Sequence, residues 1–458
     1  MVAGHYQPKK QMSRPQRGVW SCKSATARSF LAAALLAAPA LALPACDLSG
    51  DYFYQPDATV RVTFAAAPGG GYALACAGNC GWQRGNVSVD AARAWSPALF
   101  IALDNGVSVA AWALAPCSAQ RVIYFGGAVY AAPWCAVGND ACAVPVDPVW
   151  QRPGARVHLV EVSHSDIFWL GTDDDVEIDS RNINASLALM ASNPAFKWQH
   201  ECILFLRIYA EMYGPEAEAA LVARMAEGRF DIGGTFTEGF ESTMLNEILA
   251  RQMYVGRKWF VERYPGLDSG VVAFHQDGPL RAIQMPQVYA KAGMRYMKPS
   301  RLAEDVVFWQ GLDGISGLVA FPQWQYCEGA GQWNTSAQDI LYRMALYAPQ
   351  YAASNIAPEL PVTQGCDYAP PDNATQLFAD WVALAANESL PELVYGTFKS
   401  WGDAINVSRA QLPVVVGERP NLWFMENSPT HHRMWWVSEL LTLAQTPRAR
   451  KCTCAHEP

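Results

Sequence analysis

The stretch RVHLVEVSHSDIFW, residues 156–169, joins a run of Val and Leu to two titratable side chains. An apolar run of this kind predicts a strand that is buried on both faces. His164 and Asp166 are two residues apart, and side chains at that spacing lie on the same face of a strand. We therefore expect an imidazole and a carboxylate to project together from the carboxyl end of a buried strand.

Strand-like and helical segments alternate along the chain that follows. The predicted strands after the first are 230–236, 269–277, 295–300 and 357–367. The predicted helices are 185–194, 201–228, 242–264 and 286–294. Such alternation predicts an α/β fold with a mostly parallel sheet or barrel, in which ligands meet the carboxyl ends of the strands.

The composition indicates a folded protein with a sizeable core. The chain has 458 residues, of which 51% are hydrophobic and 17% are charged, a balance that argues against disorder. The formal net charge is −8, and the sequence has no basic stripe. We therefore expect no nucleic-acid partner.

The N-terminal segment has the pattern of a signal peptide. Residues 1–29 contain six Lys or Arg and no acidic residue, and the apolar run FLAAALLAAPALAL follows at 30–43. We predict a signal peptide over residues 1–42 and a protein of the secretory pathway or the cell exterior, with a lysosome-like compartment or the Golgi lumen included. A membrane is an expected partner only if the segment remains as an uncleaved anchor.

Residues 47–148 are predicted to form a small all-β module, because short β-branched runs alternate there with Gly- and Asn-containing turns. A linker is expected at 147–155. The cysteines in and beside this module are Cys46, Cys76, Cys80, Cys117, Cys135 and Cys142, and the N-glycosylation sequons of the chain are at Asn86, Asn184, Asn334, Asn373, Asn387 and Asn406. In an oxidising compartment these predict disulfides, whose pairing is left open, and N-glycans.

Acid and imidazole side chains stand at the ends of three predicted strands, and a histidine pair follows further along the chain. These residues are His164, Asp166, His275, Asp277, Asp367, His431 and His432. Imidazole nitrogen and carboxylate oxygen form a mixed ligand set that zinc accepts, and an open coordination position would make such a site catalytic. A His-x-Asp tripeptide taken alone is more often a polar strand cap.

Six segments, taken in order, resemble the catalytic domain of glycoside hydrolase family 38, the α-mannosidases. They are VSHSDIFW (162–169), NPAFKWQHECILFL (193–206), GGTFTEGFESTMLNEILARQMYVGRKWF (233–260), FHQDGPLRAIQMPQVYAKAGMRYM (274–297), QGCDYAPP (364–371) and RPNLWFMENSPTHH (419–432). The resemblance implies an incomplete (β/α)7-type barrel over residues 156–395. Residues 396–458 would then form the truncated start of a helical middle domain, without the family's C-terminal β-sandwich domains.

The resemblance also implies roles for individual residues. The zinc ligands would be His164, Asp166, Asp277 and His432. Asp277 would also be the nucleophile of a retaining mechanism, and Asp367 would be the acid/base. Asp372 and Asp380 compete with Asp367 for that role. The residues expected to bind substrate are Trp169, Glu241, Arg251 and His431.

The function expected from this resemblance is that of a zinc-dependent, exo-acting α-mannosidase that removes a terminal α-mannoside. Arg433 follows the histidine pair where relatives often have Asp, and the chain stops at Pro458. These departures favour the alternative of an inactive, zinc-containing sugar-binding relative. A metal-dependent polysaccharide deacetylase is a minor alternative. It would need two downstream histidines one helical turn apart, which the 8 histidines do not provide.

Overall fold

A computed structural model of the chain describes two regions rich in regular structure. The described residues are 50–54, 57–66, 72–77, 84–90, 98–103, 108–114, 122–125, 133–136, 143–165, 174–238, 241, 246–277, 284–300, 302, 305–323, 326 and 335–417. The predicted signal peptide lies outside them. Within these ranges, no helix has the length and apolar character needed to cross a membrane.

Eight antiparallel strands close into a barrel near the N-terminus. They are β1 (Gly50–Tyr54), β2 (Asp57–Ala66), β3 (Tyr72–Ala77), β4 (Arg84–Asp90), β5 (Ala98–Leu103), β6 (Ser108–Leu114), β7 (Val122–Phe125) and β8 (Pro133–Ala136). Strand β1 pairs with both β2 and β8, which closes the ring. Val62 and Phe64 are buried while Thr63 is exposed, as strand alternation requires. The treatment of 47–148 as a separate domain stays a prediction.

The second region alternates strands and helices, and the predicted α/β fold is confirmed. Its strands are β9 (Arg156–Glu161), β10 (Trp198–His200), β11 (Phe230–Ile232), β12 (Val272–His275), β13 (Tyr296–Pro299), β14 (Val307–Gln310), β15 (Gly317–Ala320), β16 (Glu359–Gln364), β17 (Glu392–Gly396) and β18 (Val414–Val416). Its helices are α1 (Asp174–Ser192), α2 (Ile203–Ala226), α3 (Asn246–Arg263), α4 (Met285–Lys291), α5 (Ala337–Ser354), α6 (Thr375–Ala385) and α7 (Phe398–Ile405).

The strands that end at the predicted site residues run parallel to one another. β9 lies between β16 and β17. A bridge between Val162 and Gln199 continues the pairing to β10, which pairs with β11, and a bridge between Gly233 and Val272 continues it to β12 and β13. Residues 157–161 are all buried, which fits a parallel strand covered on both faces. The carboxyl ends of β9, β12 and β16 therefore point the same way.

Residues after 395 also add to a sheet of this region. Trp401 of α7 is fully buried and its indole N–H donates to the carbonyl of Glu359, 2.9 Å away. Strand β18 pairs in parallel with β14. The predicted domain boundary at 395/396 is not tested by these contacts, and residues 418–458 lie outside the described part of the chain.

Gly365 connects β16 to the segment that carries Asp367. Its φ of +114° lies in a region that L side chains rarely adopt, and a Cβ at this position would come 2.0 Å from the carbonyl oxygen of Val162. Gly154 also has a positive φ, of +80°, but its Cβ would meet nothing within 4 Å. Comparing the two glycines therefore distinguishes the cost of a positive φ, which both share, from the cost of close approach between two backbone segments, which applies only to Gly365.

Replacing these glycines with alanine should have unequal effects. We expect Gly154→Ala to lower the free energy of unfolding by about 1 kcal/mol, because only the backbone conformation is disfavoured. Gly365→Ala should lower it by about 3 kcal/mol or more, because the clash with Val162 adds to the strain. Urea unfolding of both variants tests this, and equal losses would contradict the close approach.

Candidate active site

The end of β9 and the end of β16 meet at His164 and Asp367. These two residues form a parallel bridge beyond the last residues of their strands. The amide of His164 donates to the carbonyl of Cys366 at 3.1 Å, and the amide of Tyr368 donates to the carbonyl of His164 at 2.7 Å. Backbone hydrogen bonds on both sides of Asp367 thus hold its segment against the predicted metal ligand.

Asp277 is held near the same point by the residue before it. The amide side chain of Gln276 donates to the carbonyl of Ser163 at 2.9 Å, and Gln276 is fully buried. This contact ties the segment after β12 to the residue that precedes His164. Asp277 is half-buried and Asp367 is exposed, so both carboxylates can be reached from solvent.

A single tyrosine joins the two candidate catalytic carboxylates. The Tyr326 hydroxyl lies 2.8 Å from Oδ1 of Asp367 and 3.4 Å from Oδ2 of Asp277. Its ring also packs edge-to-face on the His164 imidazole, with 5.0 Å between centroids. Tyr326 was missed in the sequence, where it lies in an irregular stretch among many aromatic residues.

The buried side of His164 is occupied by carboxyl groups. Oε1 of Glu201 lies 2.7 Å from His164 Nδ1, and Oε2 of Glu201 accepts the Ser165 amide at 3.1 Å. Glu238 is close by, with an oxygen 3.9 Å from the same Nδ1. The ligand atoms of His164, Glu201 and Glu238 all lie within 4.8 Å of one another, so this trio could hold a metal ion.

Glu238 has an altered acidity in this setting. Burial raises the pKa of Glu238 to about 8, and the charge of Glu201 and a hydrogen bond shared with it act in the same direction, while His164 and His275 oppose the shift. At neutral pH Glu238 therefore tends to keep its proton and to share it in a hydrogen bond with Glu201. Because zinc binds carboxylate, a metal ion held by this trio would have to displace that proton.

The network continues to the end of β12. His275 Nδ1 lies 3.9 Å from Glu238, and the Tyr289 hydroxyl lies 2.8 Å from His275 Nε2. The same hydroxyl donates to Glu241. Glu241, predicted to bind substrate, is only 2% exposed and belongs to this buried network beside Tyr289 and His275.

Three other candidates make their recorded contacts with residues outside this cluster. The side chain of Arg251, also predicted to bind substrate, is 66% exposed and pairs with Glu247 on α3. The Asp380 carboxylate accepts a hydrogen bond from the Gln376 side chain along α6. Oδ2 of Asp372 accepts from the side-chain amide of Gln364 at 3.4 Å. Among the three acids proposed for the acid/base role, Asp367 is the one that contacts Tyr326.

Four predicted site residues cannot be placed. Asp166, Trp169, His431 and His432 lie outside the residues that the structure describes. Their roles as zinc ligands or substrate contacts therefore stay predictions.

The residues that can be placed fit a zinc site. His164 supplies an imidazole whose Nδ1 faces Glu201, and Asp277 reaches the same tyrosine that packs on His164. Histidine ligands of zinc commonly donate their other ring N–H to a carboxylate. The donor set of imidazole and carboxylate is one that zinc accepts.

The sequence of this region also matches a known protein family. The family described as "Glycosyl hydrolases family 38 N-terminal domain" matches residues 154–437, which is more than half of the chain. The protein therefore belongs to glycosyl hydrolases family 38, as its motifs predicted.

Individual relatives match over shorter stretches. Alpha-mannosidase 2C1 of Mus musculus is 26% identical over 176 residues, covering 36% of this chain and 17% of the mouse protein. The Homo sapiens protein of the same name is 26% identical over 185 residues, covering 38% and 18%. The crystal structure of an alpha-mannosidase from Enterococcus faecalis V583 aligns with a TM-score of 0.46 and 17% identity, covering 58% of this chain and 30% of that one. The matched stretches thus span less than a fifth of each curated relative.

A second type of buried carboxyl group lies at the last residue of β9. Glu161 is 1% exposed. Burial raises the pKa of Glu161 well above its usual value, and the negative charge of Asp372 adds to the shift, while a backbone hydrogen bond from Asp372 opposes it. The folded protein thus retains a proton that the unfolded chain releases above about pH 4.5.

This difference in proton binding predicts that Glu161→Gln stabilises the protein relative to wild type by an amount that increases with pH. The wild type should lose stability as the pH rises above about 4.5, because its unfolded state binds fewer protons than its folded state. Glutamine has no proton to lose, so the melting temperature of the variant relative to wild type should rise between pH 4.5 and 8. Glu177→Gln, on the exposed face of α1, is the control and should show no such trend. A constant difference across this range would contradict the raised pKa.

Proposed function

We propose that this protein is a zinc-dependent, retaining α-mannosidase that removes terminal α-mannosides, built on an incomplete (β/α)7-type barrel. Asp277 is assigned as nucleophile and Asp367 as acid/base. His164, Asp166, Asp277 and His432 are assigned as zinc ligands. Family membership supports a glycoside hydrolase, and the α-mannosidase names of the relatives support the substrate class.

The observation that best supports the mechanism is the shared contact with Tyr326. Since its hydroxyl is 3.4 Å from Asp277 Oδ2 and 2.8 Å from Asp367 Oδ1, these two oxygens can be at most about 6.2 Å apart. Retaining glycosidases hold their carboxyl groups about 5–5.5 Å apart, whereas inverting enzymes need about 6.5–9.5 Å to admit a water molecule. The spacing therefore favours direct attack by Asp277 on the sugar.

Each carboxyl group then has one task in each half of the reaction. Asp277 attacks the anomeric carbon while Asp367 gives a proton to the departing glycosidic oxygen, which forms a glycosyl ester on Asp277. Asp367 next takes a proton from water as the water attacks the same carbon and releases Asp277. The exposure of Asp367 suits it to exchange protons with solvent between turnovers.

Zinc, when bound, would supply positive charge that orients two neighbouring sugar hydroxyls and stabilises charge at the reacting centre. Tyr326 positions the two carboxylates relative to each other. The edge-to-face contact between Tyr326 and His164 keeps this pair beside the imidazole.

The secretory location is also part of the proposal. The basic and apolar segments of residues 1–43 and the sequons support it. The sequons differ in accessibility: Asn387 is exposed, whereas Asn184 accepts a hydrogen bond from Tyr209 at 2.6 Å and its partner Ser186 is fully buried. Asn387 is therefore the better candidate for a glycan on the folded protein.

Asp277→Asn is the direct test of the catalytic assignment. We expect hydrolysis of an aryl α-mannoside to fall at least about 10⁴-fold, because the nucleophile is lost while the shape of the side chain is kept. Zinc content should be measured on the same samples, since Asp277 is also assigned as a ligand. Asp380→Asn is the matched control, because Asp380 is exposed on α6 and accepts a hydrogen bond from Gln376 there, and it should keep wild-type rates.

Two results would change the proposal. Stoichiometric zinc in a wild type without hydrolytic activity would favour the inactive sugar-binding relative. Activity that survives in Asp277→Asn would exclude Asp277 as the nucleophile. The deacetylase alternative has no support from the family match.

Tyr326→Phe tests the shared hydrogen bonds. Losing a hydroxyl that contacts a charged group should lower kcat/KM about 10–100-fold with little loss of fold. Tyr395→Phe is the control, because that buried hydroxyl donates to the carbonyl of Asn373 instead. If both variants keep wild-type kcat/KM, Tyr326 does not position the carboxylates.

A further inference from the structure

The contacts of Glu201 go beyond the assignments made so far. We propose that Glu201 is a positioning residue which fixes the tautomer and the ring orientation of His164, and that it is not itself a metal ligand. This inference rests on the proposed zinc site. It extends that site by one residue that acts through the histidine.

Glu201 acts as an acceptor toward two consecutive residues. Its Oε2 accepts the Ser165 backbone N–H at 3.1 Å, and its Oε1 lies 2.7 Å from His164 Nδ1. A carboxylate that accepts from both positions requires a hydrogen on Nδ1. Nε2 is then the nitrogen that carries the lone pair, and it is the one through which His164 would bind a cation.

The backbone that carries Glu201 is tightly constrained. The carbonyl of His200 accepts the amide of Gly233 at 3.0 Å, and the amide of Ile203 donates to the carbonyl of Thr235 at 3.0 Å. A Cβ on Gly233 would come 1.9 Å from the carbonyl oxygen of Glu201. Glu201 is itself 1% exposed, so its carboxylate has little freedom to move toward a metal ion.

His164 is held on its other side as well. Its backbone is paired with Cys366 and Tyr368, and its ring packs against Tyr326. The imidazole therefore lies between the buried Glu201 carboxylate, which contacts Nδ1, and the ring of Tyr326, which packs against it. A ligand held in this way binds metal more tightly, since less ordering is needed when the ion arrives.

The first experiment measures zinc affinity of the full chain by competition with a chelator. We expect Glu201→Gln to weaken zinc binding about 10–100-fold, the range seen when outer carboxylates of metal sites are removed. In the variant, the amide can satisfy either the His164 N–H or the Ser165 N–H with its oxygen, but it meets the other with its own N–H. Unchanged affinity would overturn the proposal.

Two matched variants separate positioning from general damage. Glu161→Gln changes another fully buried carboxyl group, at the end of β9, and should leave zinc affinity unchanged. Glu238→Gln tests the alternative in which the trio binds the ion directly. If Glu201→Gln and Glu238→Gln both abolish metal binding, or if both still bind cobalt but change the visible spectrum of the cobalt-substituted protein, Glu201 is a ligand and the proposal fails. Positioning instead predicts weaker binding with the spectrum of the Glu201→Gln variant preserved.

The second experiment needs neither zinc nor a variant at Glu201. Nitrogen-15 NMR of histidine-labelled, metal-free protein should show His164 as the Nδ1–H tautomer, with His164→Gln used to assign its signals. An Nε2–H tautomer in the wild type would overturn the proposal even if Glu201→Gln failed to fold. A wild type that binds no zinc but shows the Nδ1–H tautomer would defeat the proposed function and leave the orientation of His164 established.

Discussion

The parallel bridge between His164 and Asp367 is the constraint on which the site depends. Neither residue belongs to a regular strand, yet each continues the direction of one, so the backbone pairing of β9 with β16 sets the distance between them. Gly365 lets the segment after β16 come this close to the segment after β9. Because strand pairing is rigid, the position of Asp367, the proposed catalytic acid, is determined by the sheet more than by its loop.

Several acidic and histidine side chains near the strand ends are buried, although protein interiors rarely contain ionisable groups. Burying charge is costly unless the groups are hydrogen-bonded to each other. Here the cost is reduced because Glu238 keeps its proton and Glu201 receives hydrogen bonds from two sides. The interior thus provides orientation for His164, while Asp277 and Asp367 remain accessible at the surface.

The sequence predicted much of this arrangement. It did not predict features that depend on the direction in which a side chain points. Apolar periodicity located β12, α3 and β16, and the strand-end pattern brought His164, Asp277 and Asp367 together. Arg251 is predicted to bind substrate from the family resemblance alone. The apolar face of α3, with Leu249 and Met253, is buried, and the Arg251 side chain is exposed and pairs with Glu247. Tyr326 and Glu201 could not be identified, because an irregular segment and a helix start have no period that reveals where a side chain points.

The pairing of β18 with β14 determines how far a shortened version of this chain must extend. A chain cut after Gly396 would lack this strand and leave the backbone groups of β14 unpaired along an open edge, the kind of surface through which sheets aggregate. It would also lack α7, whose Trp401 fills the interior beside β16. A piece that keeps this edge paired and this interior filled therefore has to reach at least Val416.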